Sequence, residues 1–405
     1  MRITSIEWQK VFVPYANPNV WGGGRRFGPT RLVVTAHTDV GLVGYGETRC
    51  LLQFTEPVLV RNIIPIAIGL DPHDVEHLYR KVEGAGFYHH KRAMVFALAA
   101  VEMACWDLIG KAAGAPLHKL WGGKYRERIE MIAYLFVSDP EKVAAEARHY
   151  VDRGFRTIKL KTGVDERSDV PIAKAVREAV GPDIRNRADV NGAWTPGTAK
   201  RMISRLAPFD LEYVEQPLVH DDLLGHAQLR RWSPVPIALD ESAYTTADVL
   251  NIIRAEAADV ILLDPHEAGG LWQARKAASI CEAAGIPVTL HSGGELGCST
   301  AAYLHLAAST PNMFPAIDGQ QHNQADDVVP IPRCSATTTA VSWSPVARGS
   351  ACLWTRPNLP ATRPKRFAKR IWKCNDPNGS QKNPLIDRGP QRSVGPHEVR
   401  CGRTT

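Results

Sequence analysis

The sequence predicts an α/β protein in which a parallel (β/α) barrel follows an N-terminal α+β unit. Three observations carry that expectation. From residue 129 onward, short apolar runs alternate with helical patterns at a period of about 25 residues, the texture of repeated strand–helix units. Eight runs occur, at Ile129–Phe136, Thr157–Leu160, Ile184–Val190, Leu211–Val214, Pro236–Leu239, Val260–Leu263, Pro287–Leu290 and Met313–Ile317. Three acidic residues, Asp189, Glu215 and Asp240, stand at the ends of successive runs at spacings of 26 and 25 residues, as neighbouring strand ends of one barrel would. An open doubly wound sheet is the alternative. The even spacing and the lack of a Gly-rich nucleotide turn favour the barrel.

Residues 1–128 read as the α+β unit. Ile3–Val13 and Arg31–Thr38 have strand character, and Gly41–Gly46 reads as a Gly-rich turn. Helical patterns follow at Glu56–Ile68, Val75–Val82 and Arg92–Ala113, the last with a buried stripe at Met94, Ala97, Val101, Ala104 and Leu108. Trp21–Phe27 reads as a polar, flexible loop. It leads into a strand rather than opening a helix, so a dinucleotide site is excluded. The barrel spans 129–329, with helices expected at Pro140–Tyr150, Ala199–Leu206, Ala247–Ala255 and Leu271–Ala284 and none evident after the eighth strand. Residues 330–405 are rich in Pro, Arg, Thr and Ser, show no period, and read as an irregular basic tail.

Composition excludes several function classes. At 405 residues, 44% hydrophobic and 22% charged, the chain has ample length for a large core. The net charge of +7 belongs to the tail, where 14 Lys+Arg stand against 3 Asp+Glu from Ile331 onward. A mildly acidic body with a basic tail is not a nucleic-acid-binding face. Glu7 and Lys10 interrupt any N-terminal signal, and Ala93–Ala104 is broken by Glu102 and too short to span a bilayer. Neither nucleic acid nor membrane is an expected partner. The eight cysteines show no CxxC pair and no regular spacing, so a reduced, cytoplasmic protein is expected.

The strand ends carry the chemistry. In order they offer Lys159 and Lys161, then Asp189 and Asn191, Glu215, Asp240, Asp264 and His291. A lone Asp at such a junction ordinarily caps the next helix, and a lone His there is ordinarily a core residue. Six polar strand ends in succession call for more. Lys159 and Lys161, two apart on a strand, share a face, while Ile158 and Leu160 take the face that packs on helices. Two inward lysines need surrounding anions. Asp189, Glu215 and Asp240 would hold Mg²⁺ together with waters and substrate oxygens. Bound to a substrate carboxylate, the ion would stabilise the ene-diolate left by removal of the α-proton. Lys161 serves as base, its pKa lowered by the neighbouring Lys159 ammonium. His291, oriented by Asp264 from the next strand, supplies a second base or acid on the opposite side.

These residues resemble the enolase superfamily. The likeness rests on Lys159 and Lys161, Asp189 with Asn191, Glu215-Gln216-Pro217, Asp240-Glu241-Ser242, Asp264 five residues before Gly269-Gly270, and His291; Gly44–Glu47 and Trp106–Lys111 look like its capping domain. It implies a modified (β/α)₇β, TIM-like barrel under an α+β capping domain, with Mg²⁺ as cofactor. The His291–Asp264 dyad is similar to the mandelate racemase and glucarate dehydratase groups, and unlike the muconate-lactonising group, which has Lys where Asp264 stands. Leu290–Gly297, Asp264-Pro265-His266 and Tyr303–Pro315 look closest to glucarate dehydratase-like proteins, whose third metal ligand is Asn rather than Asp240. The resemblance implies dehydration of an aldonate or aldarate to a 2-keto-3-deoxy acid. Racemisation or epimerisation of a 2-hydroxy or amino acid by the same enolisation is the alternative. Substrate contacts would come from Trp21, Arg25 and Arg26 in the loop and from Tyr134. The expected partners are a small carboxylate, a sugar acid, and further copies of the chain in a homo-oligomer. In this family the chain after the barrel returns to complete the cap, whereas here Ser344–Trp354 has a different composition. A shifted reading frame beginning near Val329 would explain the change and would leave an impaired, metal-binding barrel as a third reading.

Overall fold

A computed structural model describes residues 1–50, 54–314, 316–325 and 327–328. The tail from 330 to 405, the reading-frame expectation at Val329 and Pro315 lie outside the described residues. The N-terminal unit contains strands β1 (Ile3–Phe12), β2 (Asn19–Trp21), β3 (Gly24–Arg26), β4 (Thr30–Thr38) and β5 (Val43–Arg49), then helices α1 (Thr55–Val58), α2 (Ile64–Ala67), α3 (Val75–Gly84), α4 (Phe87–Ala113) and α5 (Leu117–Leu120). A π-type turn, Leu59–Ile63, joins α1 to α2. β1, β4 and β5 form an antiparallel sheet with β4 central. Leu32, Val34 and Ala36 alternate onto its buried face, as a period of two requires.

Two expectations need correction. The Gly-rich segment is not simply a turn, because Gly44 and Gly46 lie inside β5. A Cβ on Gly46 would collide with the Ala100 carbonyl, and one on Gly44 with that of Ala104. Residues two apart on a strand and four apart on a helix each share a face, so the two glycines let α4 lie directly on β5. The segment Trp21–Phe27 is not an irregular loop either. It folds as an antiparallel hairpin of β2 and β3, whose Val20 carbonyl accepts from the Val137 amide at 3.2 Å.

The second unit runs β6 (Glu130–Met131), β7 (Ala133–Leu135), α6 (Pro140–Asp152), β8 (Thr157–Lys161), α7 (Glu166–Val180), β9 (Arg185–Asp189), α8 (Pro196–Leu206), β10 (Leu211–Glu215), α9 (Leu223–Trp232), β11 (Ile237–Leu239), α10 (Thr246–Arg254), β12 (Val260–Leu263), α11 (Pro265–Ala268), α12 (Leu271–Ala283), β13 (Val288–Leu290), α13 (Gly297–Ser309) and β14 (Ala316–Ile317). β7 to β13 form a seven-stranded parallel sheet in sequence order. β14 closes it. It pairs in parallel with β6, Val288 bridges Met313, and the Asp318 amide donates to the Leu290 carbonyl at 3.0 Å. Among the described residues, only a short 3₁₀ turn, Gln321–Asn323, follows. The architecture is a TIM-like barrel under an antiparallel α+β cap, as the sequence predicts.

The cap is tied down by charge as well as by apolar contact. α4 is long and apolar enough to cross a membrane, but 89% of that apolar window is buried inside the fold, so it reads as the core helix of the cap. From it, Glu102 accepts hydrogen bonds from the Leu271 and Trp272 amides at 2.8 and 2.9 Å. It thereby caps α12, whose own N-cap, Gly270, has no side chain. Glu47 from β5 does the same for α13, accepting from the amides of Leu296 at 3.0 Å and Ser299 at 3.1 Å. Each cap glutamate meets the positive end of a barrel helix. Burial pushes Glu102 up to about 7, against its three donors.

Two predictions follow from this packing. Glu102→Ala leaves the α12 amides and the Trp106 indole N–H without their acceptor, and should cost at least about 2 kcal/mol, read as a lowered urea midpoint. At the α5–α13 contact, buried His118 and His305 stack with their Nδ1 atoms 3.0 Å apart. Burial, reinforced by His118, pulls His305 down to about 4. The unfolded chain takes up that proton near pH 6.5, so stability should fall as pH drops from about 6.5 to 4, by up to about 3 kcal/mol. Urea midpoints at pH 7 and 5 test this, and His305→Phe should reduce the slope.

Candidate active site

The barrel strands end facing the cap, and those from β8 to β14 each deliver one or two charged or ionisable side chains to that end. The ordinary capping explanation fails for the three central carboxylates. The helices after β9, β10 and β11 are capped by the side chains of Thr195, Asp222 and Thr245, leaving Asp189, Glu215 and Asp240 free of that task. Asp264 does cap α11, accepting from the His266 amide at 2.8 Å.

Both lysines of β8 point inward, as predicted. Lys159 is fully buried, with its ammonium 2.5 Å from Glu215 Oε1, 2.6 Å from Asp318 Oδ2 and 3.3 Å from Asp189 Oδ2. Burial works against its charge, but Asp318 and Glu215 outweigh it and hold Lys159 well above the ordinary lysine range. Lys161 donates to Asp189 Oδ2 and, at 3.0 Å, to Asn191 Oδ1. Asn191 sits at φ 49° and passes its amide on to Glu241 Oε1 at 2.8 Å. Although burial raises it, the Lys161 and Lys159 ammoniums hold Asp189 below the carboxylate range. Burial and the Asp189 charge push Glu215 well up.

Gln216 explains the Glu-Gln-Pro motif. At φ 39° it takes a backbone conformation rare for a residue with a side chain. There its Oε1 accepts from the Asp240 amide at 3.1 Å and its Nε2 donates to Ser242 Oγ at 2.9 Å. The end of β10 is thus locked to the end of β11, fixing Glu215 against Asp240.

His291 departs from expectation. Its Nδ1 lies 2.7 Å from Asp240 Oδ2, and Asp264 does not orient it directly. Asp264 is engaged instead by Arg49, Tyr303 and the His266 amide. Burial opposes the imidazolium, but Asp240 lifts His291 to about 10. Asp264, Glu267 and His291 nevertheless offer ligand-type atoms within 4.8 Å of one another. A second such group is Glu215, His291 and Asp318. The predicted trio Asp189, Glu215 and Asp240 is less tightly gathered, because Asp189 leans onto Lys161 and Asp240 onto His291.

The donor set fits a divalent cation. Glu215 Oε2 and Asp240 Oδ1 are buried yet accept no hydrogen bond from the described residues, while Asp240 Oδ2 pairs with His291 Nδ1 at 2.7 Å. Unpaired buried carboxylate charge is costly, and a hard, oxygen-seeking ion is the partner that suits three adjacent carboxylates. Lys161 on β8 and His291 after β13 flank this trio from opposite sides, since the trio occupies the intervening strand ends of β9, β10 and β11.

The predicted substrate contacts are dispersed. The hairpin lies by the ends of β8 and β9, where a Cβ on Gly22 would touch Val190 and Ala193. Trp21 is half-buried under the Arg26 guanidinium, 4.9 Å from its ring, and Arg25 is exposed over Phe27 at 5.1 Å. Tyr134 is buried beneath both lysines, its hydroxyl donating to Asp318 Oδ2 at 2.6 Å. Sequence reasoning missed Asp318, which directly follows the eighth apolar run and obeys the same strand-end rule. It also missed Arg49, Glu267 and Tyr303, whose partners lie far away in the chain.

A solution test follows from the unpaired oxygens. Mg²⁺ at about a hundred times its Kd should add about 2.7 kcal/mol of stability, seen as a raised melting temperature reversed by EDTA. Asp240→Asn should remove most of that shift; an equal shift in the variant would contradict the site.

Comparison with known proteins agrees with this geometry. The mandelate racemase / muconate lactonizing enzyme N-terminal domain family matches residues 18–122, and the enolase C-terminal domain-like family matches 142–341. The second match extends past Val329. The N-succinyl-L-Arg/Lys racemase of Bacillus cereus is 31% identical over 76% of this chain and 85% of its own length; its solved structure, covering 87% of this chain and 95% of that one, superposes with a TM-score of 0.79 at 27% identity. A probable glucarate dehydratase of Streptomyces coelicolor is 31% identical over 81% of this chain and 84% of its own. The dipeptide epimerase of Enterococcus faecalis, solved with Mg and the dipeptide L-Leu-L-Tyr, has a TM-score of 0.71 at 31% identity and covers 78% of this chain and 90% of its own. With both domain families matched in order and curated relatives aligned over most of its length, the chain belongs to the enolase superfamily of enzymes.

Proposed function

We propose that this protein is an Mg²⁺-dependent dehydratase of a small sugar acid, an aldonate or aldarate, converting it to a 2-keto-3-deoxy acid. The observation that carries the reading is the placement of Lys161 and His291 on opposite sides of the Asp189–Glu215–Asp240 trio. Mg²⁺ held by those three carboxylates would, when bound, supply positive charge to a substrate carboxylate as its α-carbon becomes anionic. Lys161, acting as its neutral amine, takes the α-proton on Nζ and becomes the ammonium. His291 gives a proton to the β-hydroxyl, which departs as water, and the resulting enol tautomerises to the keto acid. Lys159, held as a cation among three carboxylates, keeps the pocket near neutrality while an anionic substrate enters. Proton transfer accounts for about 10²–10⁴-fold of the rate, so oriented charge carries the larger share. Trp21, Arg25 and Arg26 of the hairpin, with Tyr134 below, are the proposed substrate contacts. The reading includes a cytoplasmic homo-oligomer without nucleic-acid or membrane partners.

A second reading has its own support. Two proton-handling groups on opposite faces suit exchange of one α-proton between them, and curated relatives include a racemase at 31% and an epimerase at 34% identity. Incubating the protein with Mg²⁺ and a panel of sugar acids, N-acyl amino acids and dipeptides in D₂O separates the two. Keto-acid formation supports dehydration; deuterium at Cα with inversion and no keto acid supports racemisation. Lys161→Ala and His291→Ala should each lower turnover at least about a hundredfold while keeping the Mg²⁺-dependent melting shift. Unaltered turnover in both would overturn the mechanism.

A further inference from the structure

Arg49, the last residue of β5 in the cap, reaches across the domain boundary into the barrel. It is buried. Its Nη2 donates to Asp264 Oδ2, its Nη1 donates to Glu267 Oε1 at 3.2 Å, and its guanidinium lies 5.7 Å from the Phe96 ring centroid. Its Nε has no hydrogen-bond partner among the described residues. The loop that carries His291 packs against it so closely that a Cβ on Gly293 would collide with the guanidinium.

Arg49 does not act alone. Its register partner on β4 is Arg31, fully buried, which donates to Glu47 Oε1 at 2.5 Å and meets His266 Nε2 at 2.7 Å. Two arginines from adjacent cap strands therefore grip Asp264, His266 and Glu267, the segment after β12. Asp264 Oδ1 is pinned from the barrel side by Tyr303 and the His266 amide, so the carboxylate is fixed from both domains.

The consequence concerns His291. Asp240, its neighbour here, belongs to the carboxylates that suit a cation. Once Asp240 is committed to the ion, Asp264 and Glu267 both lie within reach of the imidazole, and Asp264 is the one that donors from both domains hold. Without Arg49, Asp264 would keep only its barrel-side donors on Oδ1, and Glu267 beside it would lose its hydrogen bond from the cap.

We propose that Arg49 is a positioning residue: by clamping Asp264 from the cap, it aligns His291 for proton transfer, so that seating the cap and assembling the acid–base pair are one event. This rests on the reading of His291 as a proton-handling group.

The test has a readout that needs no substrate. In the Mg²⁺-loaded full chain, a His291 Nδ1–H bonded to Asp264 gives a downfield imidazole proton resonance, assigned by its loss in His291→Asn. Arg49→Gln should lose or shift that resonance while retaining the fold and the Mg²⁺-dependent melting shift, and Arg49→Lys should partly restore it. Absence of the resonance from the wild-type protein, or its persistence unchanged in Arg49→Gln, overturns the inference. With a panel compound that turns over, Arg49→Gln should lower kcat by about 10²-fold, the scale of a small misplacement, with KM little altered. If Lys161→Ala and His291→Ala lose turnover while Arg49→Gln keeps it, this inference alone fails. If the first two keep turnover, the underlying function fails whatever Arg49 does.

Discussion

A buried ammonium holds the barrel mouth together. Lys159 on β8 is bound by Asp189 of β9, Glu215 of β10 and Asp318 after β14, so one cation ties four strand ends across the open centre. The carboxylates could not be buried side by side without it, because isolated charges in such a site carry several kcal/mol of desolvation each. Once Lys159 is spent on the walls, Glu215 Oε2, Asp240 Oδ1, Glu241 Oε2 and Asp318 Oδ1 remain without a hydrogen bond from the described residues. Most of the excess charge therefore falls between Lys161 and His291, where a cation and an anionic substrate are needed.

The second constraint is the docking of the cap. Its core helix supplies Glu102 to the start of α12, and its last strand supplies Glu47 to the start of α13 and Arg49 to Asp264. These contacts are polar, directional and buried, so the cap is seated in one orientation rather than merely adhering by apolar area. The glycines of β5 serve the same end by bringing α4 against the strand that carries Glu47 and Arg49.

Much of the barrel and its site was legible in the sequence because both follow short-range rules. The strand–helix period and the polar residue at each strand end locate β8 to β13 and the residues from Lys159 to His291. The Ile158/Leu160 alternation also gives the inward direction of both lysines. The partner of His291 was not legible, since Asp240 and Asp264 sit on adjacent strands and only three-dimensional geometry chooses between them. Arg49 lies 215 residues from Asp264, and no local pattern connects them. The hairpin at Trp21–Phe27 was hidden by its glycines, which read as flexibility but here supply the turn: Gly24 takes φ 133°. Asp318 could have been found, and was lost because the eighth run lacks a following helix to mark its end.

The central claim is that Asp189, Glu215 and Asp240 form one cation site between two proton-handling groups. A crystal grown with Mn²⁺ in place of Mg²⁺ tests it most directly through the ion's anomalous signal. A single peak bonded to oxygens of all three carboxylates, with Lys161 and His291 on either side and neither ligated to it, is the predicted result. A peak bonded instead to Glu215, His291 and Asp318, the tighter group in the structure, would contradict the account, because His291 would then be a ligand and not free to move a proton.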